Sequence, residues 1–407
     1  MTASPLICLS SIPEYFESKS TVFDSEVSTT TFLSQSECKD HMWTLLGKPL
    51  SPYLKTEDER YYFQLYFDQW FQSELTRWTY KQSRSKSIHD TMIQLKQLVL
   101  PEQRSPEWYQ IRENLLTASS LADALGKGHF QTRDDLLISK TSDTKATVSK
   151  ASRDIMQWGV KYEPVATRFY EHMNDLTVVE FGLIPHPVLS VFGASPDGIC
   201  DIGSPNGYEG RMLEIKCPPR RQFTAEVPKH YWMQMQGQLE VCDLDECDFL
   251  QVKLEQYDTV NEYEQDCLVS EYGIQHGLTG DGLPKGLLVG YHAIGSLDIM
   301  YAYSPWLGSL DCILNWLNHF KTTLGSDYVV SEQSWWKITR YECTLVHRDK
   351  QWWLSVVPDI IQFWSEVVHY RNVGNDEVQK RINGRKRGPR KKTMTIQAPL
   401  KGYLLDD

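Results

Sequence analysis

The sequence has no C-x-x-C pair: its nine cysteines are odd in number and scattered from Cys8 to Cys343. This disfavours a disulfide framework and a thiolate zinc site, and points to a reducing, intracellular compartment. No uninterrupted apolar run approaches the roughly 20 residues that a bilayer span requires. The first residues, MTASPLICLSSIPEYF, lack the basic stretch of a secretory signal. A membrane is therefore not among the expected partners. No internal repeat is visible, which excludes solenoids and arrays. Excess positive charge is also missing, since 42 Lys and Arg against 53 Asp and Glu leave a formal net charge of −11. Any polyanionic partner must be held by a local patch rather than by bulk attraction. What is present is an ordinary globular composition, 41% hydrophobic and 23% charged over 407 residues, enough for two or three structural units.

Residues 1–36 are rich in Ser and Thr with little periodicity and read as a weakly ordered lead-in. Residues 37–104 read as a helical N-terminal module, with Tyr62, Leu65, Tyr66, Trp70 and Leu75 as its packing stripe. From 105 to 370 the pattern changes. Helices are expected to start near Ser105, Ser119 and Ser152, and strands at LTVVEFGLI, VLSVFGA, MLEIKC and FLQVKLEQY, with the helix HYWMQMQGQLEVC before the last of these. A Trp-rich helix from Trp306 to Lys321, the strand ITRYECTLV and a helix from Ser355 to Tyr370 follow. Such interleaving predicts an α/β or α+β domain with a mixed central sheet. The segment 371–407 reads as a flexible basic tail. Residues 371–392 hold nine Lys or Arg against Asp376 and Glu377, a local charge of +7, so the rest of the chain carries −18. The run KRINGRKRGPRKK is expected to be too broken by Gly and Pro to form a helix.

The chemistry concentrates at Asp197 in GASPDGIC and at Glu214 and Lys216 in MLEIKCP. Side chains alternate along a strand, so Glu214 and Lys216 share one face while Ile215 and Cys217 take the other. A hairpin from the Pro-Asp-Gly turn would bring Asp197 to that face. Two converging carboxylates repel each other, and a hard divalent cation relieves the repulsion. Phosphodiester hydrolysis uses such a site, with a neighbouring lysine orienting water. An exposed ion pair on an ordinary strand would show the same E-x-K spacing, but apolar Leu213, Ile215 and Cys217 place these charges in a buried setting.

With these residues in view, the sequence resembles the lambda exonuclease and YqaJ-type viral recombinase family of PD-(D/E)XK nucleases. WYQIRENLLTASSLADAL from Trp108, WGVKYEPVATRFYE from Trp158, ASPDGIC, LEIKCP, YWMQMQGQLEV and HRDKQWWLSVVPDIIQFWSEVV from His347 are similar to the family's blocks, in order. The resemblance implies a restriction-endonuclease-like core and a Mg²⁺-dependent (or Mn²⁺-dependent) 5′-to-3′ exodeoxyribonuclease. Such an enzyme acts on double-stranded DNA ends and leaves 3′ single strands for recombination, repair or viral replication. The metal ligands it implies are Asp197, Glu214, the carbonyl of Ile215, and Glu163, which completes the acidic site; Lys216 positions water and Gln234 stands on the nearby helix. Arg112, Ser119 and Ser195 would hold the 5′-phosphate.

Arg211, Arg220 and Arg221, with Lys216 and Lys229, form a positive strip read as DNA-contacting. No iron–sulfur cluster is expected, because Cys242, Cys247 and Cys267 do not cluster. The alternatives are a nuclease of the same superfamily with endonuclease activity or another polarity, and a non-catalytic DNA-end-binding or annealing adaptor. An annealing protein is one expected partner. Gln397, Leu400, Tyr403 and Leu404 resemble a degenerate sliding-clamp motif. The basic tail suits a nuclear localisation signal, a DNA tether or a solvating extension, so the expected location is the nucleus or a viral replication site, otherwise the cytoplasm.

Overall fold

The structure, a computed structural model, describes residues 12–386 apart from 31–33, 55, 104, 143–149, 206, 272 and 297. The tail residues 387–407, including the clamp-like Gln397, Leu400, Tyr403 and Leu404, lie outside the described residues. The chain divides into two compact units, 1–93 and 94–407. Among the described residues no helix is long and apolar enough to cross a membrane.

The first unit is helical. It contains α1 (Ile12–Glu17), α2 (Ser20–Thr29), α3 (Gln35–Met42) and most of the long α4 (Glu57–Gln97). Residues 12–29, expected to be a weakly ordered lead-in, instead supply Ile12, Phe16 and Phe23 to the core of this unit. Three apolar side chains at intervals along a short Ser-rich stretch are enough to anchor helices once a larger helix offers a surface. The packing stripe of α4 keeps Trp70, which is buried, and Leu75, which packs on the core, as expected. Its other members are Phe63, Phe67 and Phe71, while Tyr62, Leu65 and Tyr66 are exposed. Both sets fit a helical period, and the more apolar phenylalanines take the interior while the tyrosine hydroxyls stay in water.

The second unit is mixed α/β. In chain order it contains α5 (Pro106–Glu113), β1 (Leu116–Thr117), α6 (Leu121–Ala124), α7 (Arg133–Thr141) and α8 (Lys150–Asn174). Short strands follow: β2 (Val178–Val179), β3 (Ile184–Pro185), β4 (Phe192–Ala194), β5 (Gly198–Cys200) and β6 (Met212–Lys216). Then come α9 (Lys229–Cys242), β7 (Glu246–Gln256), α10 (Val260–Gln265), β8 (Leu268–Ser270), β9 (Gly273–Gln275), β10 (Lys285–Ala293) and β11 (Met300–Tyr303). The unit closes with α11 (Leu310–Thr323), β12 (Tyr328–His347), α12 (Lys350–Val373) and α13 (Asp376–Lys386).

Seven strands form the main sheet in the order β11-β10-β12-β7-β6-β5-β2, with only β6 and β7 parallel. A parallel neighbour needs a crossover, and α9 supplies it. The expected hairpin is present: β5 runs antiparallel to β6, with Gly198 opposite Leu213. Alternation along β6 sorts its two faces. Leu213 and Ile215 enter the core built with Tyr162, Val165, Ala166, Phe169 and Tyr170 of α8, whereas Glu214 meets α9. The expected helices begin close to where the sequence suggested, except that the Trp-rich helix starts at Leu310 and leaves Trp306 outside.

The tail is shorter than expected. Asp376–Lys386 is helical despite its glycine, because Val378 is buried, Arg381 pairs with Asp134 of α7 (3.2 Å), and Asn375 donates to Thr141 and Ser142. Tertiary contacts override a weak local preference.

Candidate active site

The site lies at the carboxyl end of β6. Glu214 is fully buried, and its carboxylate is surrounded by donors: Gln234 Nε2 to Oε1 at 2.7 Å, Gln238 Nε2 to Oε2 at 2.7 Å, and the Lys216 ammonium on Oε1. Charge-assisted bonds of this kind offset the cost of burying a carboxylate. Lys216 Nζ also donates to the carbonyl of Ile215 (3.0 Å) and lies 3.9 Å from Asp197 Oδ2. Burial alone would lower the lysine pKa, but the Glu214 and Asp197 carboxylates outweigh it and raise it. Lys216 is therefore an ammonium, a donor and a positive charge rather than a base. Asp197 Oδ2 accepts from the Ile215 amide at 2.7 Å. Its pKa is pushed well up by burial first, then by Glu214 and Glu163, against the opposing pull of Lys216 and of that amide.

Three oxygens, from Asp197, Glu214 and the Ile215 carbonyl, thus converge on one cation, Lys216 Nζ. Hard oxygen donors in this number, two of them carboxylates, fit a divalent cation. Glu163 of α8 lines the same hollow. Among the described residues no group of three or more His, Cys, Asp or Glu side chains forms a ready-made metal cluster.

Beside this centre is a hollow of about 190 Å³ lined by Arg112, Ser119, Ser195, Glu163, Asp197, Glu214, Lys216 and the two glutamines, among others. The Arg112 guanidinium lies 4.3 Å above the Trp108 ring and donates to Ser119 Oγ at 3.3 Å. Trp108 Nε1 in turn donates to Ser195 Oγ at 3.3 Å. Ser119 sits in a single 3-10 turn, Ala118–Ser120, and is not an N-cap; its hydroxyl pairs with Thr117 (3.1 Å). The end of α5 that carries Arg112 is clamped from outside. Lys140 donates to the carbonyls of Arg112 and Leu115, and Arg371 donates to the carbonyls of Glu113 and Lys140. Burial, then the charges of Arg112 and Arg371, lower the Lys140 pKa to about 8. Helix α9 reaches this pocket because residue 237 is glycine: a Cβ there would lie 2.9 Å from Phe192 and 3.2 Å from Ala118.

Residues 107–245 match the family model of the YqaJ-like viral recombinase domain. That segment is similar to the domain of this family. An uncharacterized protein of Acanthamoeba polyphaga mimivirus is 29% identical over 330 residues, 74% of this chain and 59% of that protein, so the chain spans less than two thirds of the relative's length. The crystal structure of the alkaline exonuclease LHK-Exo from Laribacter hongkongensis aligns at 20% identity with a TM-score of 0.38, covering 69% of this chain and all of that one. A phage-related exonuclease from Haemophilus somnus aligns at 12% identity with a TM-score of 0.33, covering 66% and 96%.

A second hollow, about 810 Å³, adjoins the same centre and shares Glu163, Asp197 and Lys216 with the first. Arg220 and Arg221 line it, as the expected positive strip requires. Arg211 does not come with them. It precedes the opposite end of β6, bonded to Glu246 at 2.6 Å, 3.7 Å from Asp248 and stacked over Tyr208, so its charge is already spent on carboxylates. Proximity in sequence to β6 does not place a side chain at the carboxyl end of that strand. The sequence reading missed Gln238, which lies one helical turn after Gln234; the i, i+4 pair of amides in YWMQMQGQ was its available signal. It also missed Trp108 as the base of the Arg112 pocket.

Proposed function

We propose that the chain is a divalent-metal-dependent DNA exonuclease that cuts double-stranded DNA from 5′ ends and leaves 3′ single strands. The observation that carries this reading is one juxtaposition: the Asp197, Glu214, Ile215 and Lys216 cluster adjoins a small hollow holding the Arg112 guanidinium and two serine hydroxyls. A guanidinium with hydroxyls suits a phosphate. A phosphate held there leaves the next phosphodiester at Lys216, which sets both end dependence and polarity.

Asp197, Glu214 and the Ile215 carbonyl would hold Mg²⁺. When bound, such a metal would supply polarisation of a nonbridging phosphate oxygen and acidification of water. Lys216 would donate a hydrogen bond to the attacking water and offset charge developing on the phosphate. Gln234 and Gln238 hold Glu214 in one orientation, and Trp108 fixes the plane of Arg112. The YqaJ-like domain supports the nuclease class; an annealing partner and a role in viral recombination accord with it.

The test is digestion of linear duplexes with 5′-phosphate or 5′-hydroxyl ends and of a closed circle, with Mg²⁺ and with chelator. The 5′-phosphate end should be digested fastest and the circle should survive. Equal rates at the two ends would remove the polarity claim, and cutting of the circle would favour an endonuclease. End binding without any released nucleotide would favour a non-catalytic adaptor.

A further inference from the structure

The larger hollow has a wall that the chemistry above does not use. The connection 126–132 between α6 and α7 carries Phe130, which is 75% exposed although the loop that bears it is tightly held. Gly126 and Lys127 amides donate to the carbonyls of Asp123 and Ala122 at 3.0 and 2.8 Å. The buried Asp123 carboxylate accepts from Gln131 at 2.9 Å. Residue 128 must be glycine here, because a Cβ would fall 1.8 Å from Asp123 Oδ1.

On this loop His129 lies parallel to His230 of α9, with ring centroids 5.0 Å apart and planes 10° apart, and Phe130 meets the same ring edge-on at 5.5 Å. His230 leans on Tyr231 at 4.1 Å. Tyr231 lies 5.2 Å from Lys216 Nζ and 5.8 Å from the Arg221 guanidinium. A continuous series of aromatic contacts, face to face between His129 and His230, therefore runs from an exposed loop to Lys216. Burial, then His129, Arg221 and Lys216, lower the His230 pKa to about 4, so this ring is uncharged at neutral pH.

We propose that Phe130, backed by His129 and His230, is a stacking platform for an unpaired nucleobase at the frayed DNA end, adjacent to the scissile phosphate. The proposal rests on the DNA-cleaving reading and adds to it a base-holding surface. Three features favour a nucleotide over a neutral apolar ligand. Flat aromatic faces accept any base, and such stacking is tolerant of sequence. Arg220 and Arg221 line the same hollow and would pair with phosphates on either side of the stacked base. Lys216, Asp197 and Glu163 line both hollows, so a strand with its phosphate at the catalytic centre and its 5′ end at Arg112 continues towards Phe130.

The test uses the full-length protein with Ca²⁺ replacing Mg²⁺ to hold back cleavage, and a 5′-phosphorylated duplex carrying 2-aminopurine at its terminal or second nucleotide on either strand. The wild-type protein should quench the probe at one of these positions. Phe130→Ala should weaken binding about 5- to 150-fold, the equivalent of one stacked base, and abolish the quench. Phe130→Trp should restore both and Phe130→Leu neither, since area alone does not replace a π face. Unchanged affinity and quenching in Phe130→Ala would overturn the platform while leaving the nuclease reading intact. Failure of the wild-type protein to bind or digest any DNA would overturn both.

Discussion

Glu214 shows how a single residue can be both structural and functional. It is fully buried, yet two amides and an ammonium saturate its carboxylate. Removing one donor leaves a charge without its partner in a low-dielectric setting, which costs about 1–3 kcal/mol. Gln238→Leu should therefore lower unfolding stability by that amount in urea titrations and also slow cleavage, while Gln234→Leu plus Gln238→Leu should be non-additive because both act on one group. Lys216→Ala should lower turnover by about 10²–10³-fold or more, with duplex binding weakened only by the loss of one phosphate contact; full activity in that variant would sink the active-site assignment. At this scale Asp197, Glu214 and Lys216 were legible in the sequence, since strand alternation and a Pro-Asp-Gly turn are local properties. Gln238 was not assigned, because which helical residue meets a strand carboxylate depends on how the helix crosses it.

At the scale of elements, α5 carries Arg112 and is held by residues from two distant helices, Lys140 of α7 and Arg371 of α12. The clamp has a pH signature. The ordinary lysine pKa is 10.5 and that of Lys140 is lowered to about 8 in the folded chain. The unfolded chain binds more protons between these values, so the contribution of Lys140 to stability rises as pH goes from about 8 to 10.5, by up to about 3 kcal/mol. Below pH 8 the desolvation cost of the ammonium is fully present. Stability curves of the wild type and Lys140→Met should therefore converge or cross across that window, and parallel curves would contradict the assignment. The same scale governs α13. Val378 is fully buried, and Val378→Ala should lower stability by about 1–3 kcal/mol, readable as a fall in thermal midpoint; an unstructured tail would show no change. The helix was hidden in the sequence because its glycine and dense charge disfavour it locally, and only α7 supplies the surface that stabilises it.

For the whole molecule, a formal charge of −11 repels DNA on average, so binding must depend on few contacts. Arg112, Lys216, Arg220 and Arg221 line the two hollows, whereas Arg211 is neutralised by Glu246 and Asp248. About four phosphate contacts from the described residues predict a slope of about −3.6 for log affinity against log salt on duplex DNA. Arg221→Ala should reduce that slope by about one, and Arg211→Ala should leave it unchanged while destabilising the fold. A larger slope in the full chain that falls on deleting 387–407 would assign the remainder to the basic tail.

The sequence by itself determined the mixed α/β character, the order of helices and strands around the catalytic strand, and the identity of the carboxylate and lysine cluster. These follow from periodicity and turn chemistry, which act over a few residues. Tertiary structure alone decided which positive charges stay available, which phenylalanines rather than tyrosines fill the helical core, and that two hollows meet at Lys216 with an aromatic wall on one side. Those outcomes depend on competition among groups far apart in the chain, settled by packing and by which carboxylate reaches a given arginine first.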